Sequence, residues 1–165
     1  MAYVKDEIII ENAKLLRGPF MNFSGEASKF NRAGKRNFCV EIEDPEWALK
    51  MKEDGWNIRT LDPREEGDDT LYYLNVEVSF DNIPPNIYLV TKRKKTRLKE
   101  TNVDQLDYAD LSNVDLIIRP YNWEVNDKSG VKAYLKTGYF TIVEDAFSDK
   151  YGDIYEDDND DALPF

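Results

Sequence analysis

Alternation of apolar and polar residues dominates the chain. In NFCVEIE (37–43), Phe38, Val40 and Ile42 fall on one side and Asn37, Cys39, Glu41 and Glu43 on the other, the pattern of a half-buried strand. LYYLNVEVSF (71–80) repeats it: Tyr72, Leu74, Val76, Val78 and Phe80 form a core face, while Leu71, Tyr73, Asn75, Glu77 and Ser79 form the other. NIYLVT (86–91) is a shorter strand. Near the C-terminus, Val114–Val125 and Val131–Val143 read as a hairpin joined by NDKSG. If Val125 faces Val131, Trp123 meets Ala133 and Tyr121 meets Leu135, which puts both aromatics in the core. A register one residue different would expose Tyr121 and Trp123 beside Arg119.

Two segments break the period. Ile8–Phe23 begins IIIENAKLL and continues through Gly18-Pro19 to FMNF, which predicts a long first strand with a bulge or sharp bend at the Gly-Pro pair. Asp44 offers an N-cap, Pro45 suits the first helical position and Gly55 suits the C′ position. PEWALKMKED is therefore a short helix with Trp47 and Met51 inward and Trp56 as a buried cap contact. Gly138 reads as a second bulge.

The chain thus holds at least five strands, one short helix and glycine bends near both ends, with no βαβ alternation and no internal repeat. The expected fold class is all-β with a short helix: an OB-fold-like Greek-key barrel with extended basic loops and a disordered acidic C-terminal tail. A β-sandwich is the alternative. With 165 residues, the chain supports one core. The expected boundaries are 1–143 for the OB-fold domain and 144–165 for the acidic, disordered tail.

Composition changes this picture in three ways. The single cysteine, Cys39, excludes an internal disulfide and fits a reducing cytoplasm, and no stretch has the apolar length of a membrane span. Histidine is absent, which removes the commonest metal ligand and general base; no nucleophile–base pair with recognisable spacing replaces it. The expectation is no enzyme, no catalytic residues, no metal and no cofactor. Asp104, Asp107, Asp110 and Asp115 are the only run that would suit a metal-dependent nuclease, and their alternation with Val103, Leu106 and Leu111 fits an amphipathic turn better.

Charge is divided along the chain. Of the net −11, residues 144–165 carry −8 and the body is close to neutral, which leaves room for local basic patches. The loop SGEASKFNRAGKR places Phe30 among Lys29, Arg32, Lys35 and Arg36, cations that can track phosphates around a ring that can stack on a base; the alternative is a solvated hairpin with Phe30 in the core. KRKKTRLK has six bases in eight residues. Its Lys92, Arg93, Lys94, Lys95 and Arg97 read as a phosphate-binding loop, a cradle for the acidic tail, or both. Tyr134, flanked by Lys132 and Lys136, and Tyr73, beside Asn75, are the stacking candidates on strands.

The last ten residues, EDDNDDALPF, do more than solvate. Asp157, Asp158, Asp160 and Asp161 precede Leu163, Pro164 and a terminal Phe165, so an acidic run that can meet a basic rim ends in an apolar hook. The form DDALPF resembles the acidic tip of bacterial single-stranded DNA-binding proteins, a run of Asp followed by an aliphatic residue, Pro and a terminal Phe. With the β-rich body and basic, aromatic loops, the whole arrangement is similar to a phage-type single-stranded DNA-binding protein. The body does not match the bacterial core motif by motif, and KRKKTRLK is not part of that pattern.

The resemblance implies sequence-independent binding and protection of single-stranded DNA in replication, recombination and repair. It also implies a tip that recruits replication and recombination proteins and folds back on the binding groove when DNA is absent. RNA stays open as a ligand, as do monomer and homodimer. No membrane partner is expected, and the location is cytoplasmic, in the host cell if a phage encodes the chain. An acidic-hook scaffold protein and a carboxylate-metal nuclease are the alternatives.

Overall fold

The computed structural model describes residues 4–27, 32–62, 67, 69–81, 83–92 and 94–143. Lys29, Phe30, Arg93 and the whole of 144–165, with the DDALPF tip, lie outside the described residues.

The strands are β1 (Ile8–Ile10), β2 (Met21–Asn22), β3 (Arg36–Glu41), β4 (Ile58–Leu61), β5 (Leu71–Val78), β6 (Asn86–Val90), β7 (Lys95–Leu98), β8 (Leu111–Val125) and β9 (Lys128–Ile142), with one α-helix, α1 (Pro45–Asp54). The helix forms as its ends dictate. Asp44 accepts a hydrogen bond from the Glu46 N–H, Pro45 opens the first turn, and Gly55 at φ 107° returns its N–H to Lys52 and Met51 carbonyls. Met51 and Trp56 are buried as expected, with Ala48 beside them and Trp47 packed at the margin.

One mixed sheet carries the architecture. Antiparallel pairs join β1 to β8, β8 to β9, β3 to β5 and β2 to β3, and β5 runs parallel to β9 at Val76↔Ala133. β9 is held on both sides: by β8 along its length, by β5 at Ala133 and Tyr134 and by β6 over Thr137–Thr141. The first segment links the two ends of this array. Ala13 donates to the Val114 carbonyl, Leu16 donates to Cys39, and Lys14 accepts from Glu41, so the chain passes from β8 across to β3. Isolated hydrogen bonds replace a continuous ladder there, and the result is an OB-like, incompletely closed barrel.

The expected long first strand is thus broken. A three-residue β1, a lone bridge at Leu15 and a two-residue β2 take its place, separated by a 3₁₀ turn at Gly18–Phe20 that opens on Gly18 at φ 73°. The Gly-Pro pair marks the bend, but Pro19 sits inside a turn and has no N–H to extend a ladder.

The core gathers where β2, β3 and β9 meet. Phe23 and Phe38 stack at 5.1 Å, and Phe140 stands edge-on to both at 5.7 and 6.4 Å; all three are fully buried. Gly138 serves this cluster rather than a bulge. A Cβ there would lie 2.6 Å from Cε2 of Phe140, so the absent side chain is the space the ring occupies. The bulge falls instead at Lys136, between Ile117↔Thr137 and Ile118↔Leu135.

Cys39 departs from its expected exposed face. It is 5% exposed, and burial pushes its thiol up to about 11 against the opposing charge of Arg59, which leaves it protonated and unreactive at neutral pH.

Candidate nucleic-acid interface

The register of the β8–β9 hairpin decides which aromatics face outward. The chain turns on two residues, Asn126 and Asp127, with Asn126 at φ 57°, and Val125 pairs with Lys128 rather than Val131. That is a three-residue difference from the expected register. An odd shift exchanges faces, so the expectation of Tyr121 and Trp123 in the core is corrected. Tyr121 is 51% exposed and Trp123 half-buried, lying against Gly130. On β9 the faces are as expected: Val131, Ala133 and Leu135 point inward, and Lys132, Tyr134 and Lys136 outward.

The pairing brings three side chains together. Arg119 lies opposite Tyr134 and its guanidinium sits 4.9 Å from the ring centroid, while Tyr121 meets the same ring edge-to-face at 5.8 Å. A half-exposed tyrosine is thereby fixed in orientation beside a cation, which suits it to stack on a flat, electron-poor partner next to an anion. Tyr134 was legible from sequence; Arg119 and Tyr121 emerged only under the alternative register, and the structure adopts the faces of that alternative. The missed signal was Asn-Asp as a two-residue turn, which would have set the register.

Next to this cluster Glu77 pairs with Tyr134 across the parallel β5–β9 junction. Its two oxygens lie 3.8 Å from the Lys35 ammonium and 3.6 Å from that of Lys132, so one carboxylate gathers a cation from the basic loop and one from the hairpin. Lys136, the bulge residue, is turned toward Glu7 at 2.7 Å. Neither lysine covers Tyr134; the flanking cation is Arg119.

Two other expectations are corrected. Tyr73 is no exposed platform: it is 9% exposed and packs edge-on to Phe20 from the 3₁₀ turn. Arg36 belongs to β3 rather than the loop, and its guanidinium is consumed in holding structure: Nε donates to the Phe23 carbonyl, one terminal nitrogen pairs with Glu100 at 2.9 Å, and the group lies over Phe80. Arg32 and Lys35 stay exposed on the described end of the loop. The loop neck is pinned, for Asp107 accepts from the Phe23 and Ser24 N–H groups and Gly34 donates to the Gly25 carbonyl. Asp107 is thus a backbone clamp, and among the described residues no three acidic or cysteine side chains gather to hold a metal.

The run KRKKTRLK is half turn and half strand. Lys95 and Arg97 project from β7 on its exposed side, and Lys92 and Lys94 belong to the β6–β7 turn closed by Thr91. No helix among the described residues is long and apolar enough to cross a membrane.

An OB-like barrel with half-exposed tyrosines and cations on its outer face, beside a long hairpin, has the features with which proteins of the single-strand-binding class hold flexible nucleic-acid strands. The chain belongs to the phage ssDNA-binding domain family, whose model matches residues 1–163. It is a phage-type single-stranded DNA-binding protein and not an enzyme. Among solved structures it is similar to the single-stranded DNA-binding protein from bacteriophage Enc34 in complex with ssDNA, at 13% identity over 86% of this chain and 89% of that one, with a TM-score of 0.53. A second structure of the Enc34 protein aligns at 14% identity over 90% of this chain and 89% of that one, with a TM-score of 0.51. These likenesses show the fold. No curated protein matches the chain.

Proposed function

We propose that the protein binds single-stranded DNA without reading its sequence, across the outer face formed by the end of β5, β9 and the β8–β9 hairpin. The arrangement of Arg119, Tyr121 and Tyr134 beside the Glu77-bridged lysines carries this reading. Tyr121 stacks on a base, Arg119 meets the neighbouring phosphate, and Lys35, Lys132 and the basic loop neutralise the backbone. In OB-type barrels the loop after the first strand and the final hairpin flank the oligonucleotide groove, and here these are the 24–35 loop and the β8–β9 turn. Stacking tolerates every base because every base has a π-face, so no hydrogen-bonded readout is required.

Glu77 acts as a built-in counter-charge that DNA must displace. Glu77→Gln is expected to tighten oligo-dT binding by about 2–5-fold at low salt, the scale of exposed ion pairs at about 0.2–1 kcal/mol each. Fluorescence titration checks it, and unchanged or weaker binding refutes this role.

The acidic tip is read as a second functional element. Asp157, Asp158, Asp160 and Asp161 compete with DNA for the basic surface, while Leu163, Pro164 and Phe165 recruit replication, recombination and repair enzymes in the host-cell cytoplasm. Support comes from the charge division, −8 in residues 144–165 against a near-neutral body. A 1–155 truncation is expected to bind oligo-dT more tightly than the full chain at low salt, the difference vanishing as salt rises, and to lose partner recruitment. Equal affinity of both forms at low salt would remove the competition. Duplex DNA and oligo-rU of equal length, titrated in parallel, establish the preference for single strands and for DNA over RNA.

A further inference from the structure

A second aromatic cluster lies on β9 beyond the bulge, outside the site described above. Tyr88 of β6 is in parallel register with Tyr139, and their rings stack at 5.1 Å with planes 14° apart. The Lys95 ammonium of β7 lies 4.8 Å from the Tyr88 centroid and 5.7 Å from that of Tyr139. Arg97 stands opposite Tyr88 in the β6–β7 ladder and is exposed. Lys35, Lys132 and Lys136 each face a carboxylate, but among the described residues no carboxylate lies within 4 Å of the Lys95 ammonium. Its charge remains available over the rings.

We propose that Tyr88 and Tyr139, with Lys95 and Arg97, form a second stacking and phosphate subsite for the same DNA strand; this rests on the reading of the first site given above. The geometry of β9 supports it. Tyr134 and Tyr139 both point outward, since Leu135 on one side of the bulge and Gly138 and Phe140 on the other all face the core. They are five positions apart, about 16 Å at roughly 3.3 Å per residue, so one nucleotide cannot touch both clusters. A strand long enough to reach both gains a second set of contacts from Tyr139, Tyr88 and the basic hairpin. The run KRKKTRLK thereby acquires a role tied to two rings that sit on neighbouring strands, and the footprint becomes a two-stage property of the barrel wall.

The test is a length series of oligo-dT, from roughly 4 to 16 nucleotides, the range of OB-type sites. Affinity of the full chain is expected to rise in two stages. Tyr88→Leu with Tyr139→Leu should leave the shortest oligonucleotides unaffected and weaken the longer ones by about 10-fold or more. Lys95→Gln with Arg97→Gln, both exposed, should flatten the salt dependence of the second stage alone; this pair stands in if the leucine variant does not fold. Unchanged affinity of a folded double variant at every length overturns the subsite and leaves the rings as sheet packing. Equal weakening at all lengths overturns the separation into two stages. If the parent chain binds no length, the underlying reading of the first site fails instead.

Discussion

Replacing Tyr121 and Tyr134 together by alanine weakens oligo-dT binding by about 30- to 1,000-fold, or about 2–4 kcal/mol from the loss of stacking. The lower part of the stacking range applies because the two rings also contact each other, at 5.8 Å, and one face of Tyr134 is covered by Arg119. Single variants should not add. Tyr134→Ala releases both Arg119 and Tyr121 and loses more than its own share, whereas Tyr121→Ala leaves the Arg119–Tyr134 pair intact. Folding should be little affected, since an outer-face cross-strand pair contributes about 0.2–1 kcal/mol. Fluorescence titration at two salt concentrations, alongside urea denaturation, separates the outcomes: affinity within twofold of the parent chain would remove this face as the DNA site.

Phe38→Ala is expected to cost about 3–5 kcal/mol, a large part of the roughly 5–15 kcal/mol that holds a typical domain together. The reason is position. Phe38 stacks on Phe23 and stands edge-on to Phe140, so one ring joins β3 to the segment after β2 and to β9. Collapse into the vacated space is hindered from below: Phe140 already fills the space over Gly138 and has nowhere to move without exposing itself. A fall in the urea midpoint with an unchanged slope is the expected signature. A loss below about 1 kcal/mol would show that the cluster repacks freely, contrary to the close packing of interiors.

What could be read from the sequence follows how locally each feature is determined. Helix α1 was fully legible because Asp44, Pro45 and Gly55 act within their own turns. The inward faces of β3 and β5 were legible from alternation alone, as Phe38, Val40, Leu74, Val76 and Val78 are all buried. Cys39 and Tyr73 were misplaced because alternation reports the barrel's inner face and is silent about what covers the outer one; Phe20, distant in sequence, covers Tyr73. The hairpin register depended on a turn two residues long inside a segment with turn-forming residues at four of its five positions. That one choice left Arg119 and Tyr121 as site residues only of the alternative register. The basic run was legible as charge but not as strand, since β7 is built by its pairing with β6 rather than by any preference of Lys-Thr-Arg-Leu.

The placement of β9 has a mechanical consequence. Val143, the last described residue, donates its N–H to the Asp110 carbonyl at the end of the strand that has β8 on one flank and β5 and β6 on the other. A pull applied at Val143 cannot peel an edge strand away. It must break ladders on both flanks at once, so this end of β9 is a mechanically strong point of the fold.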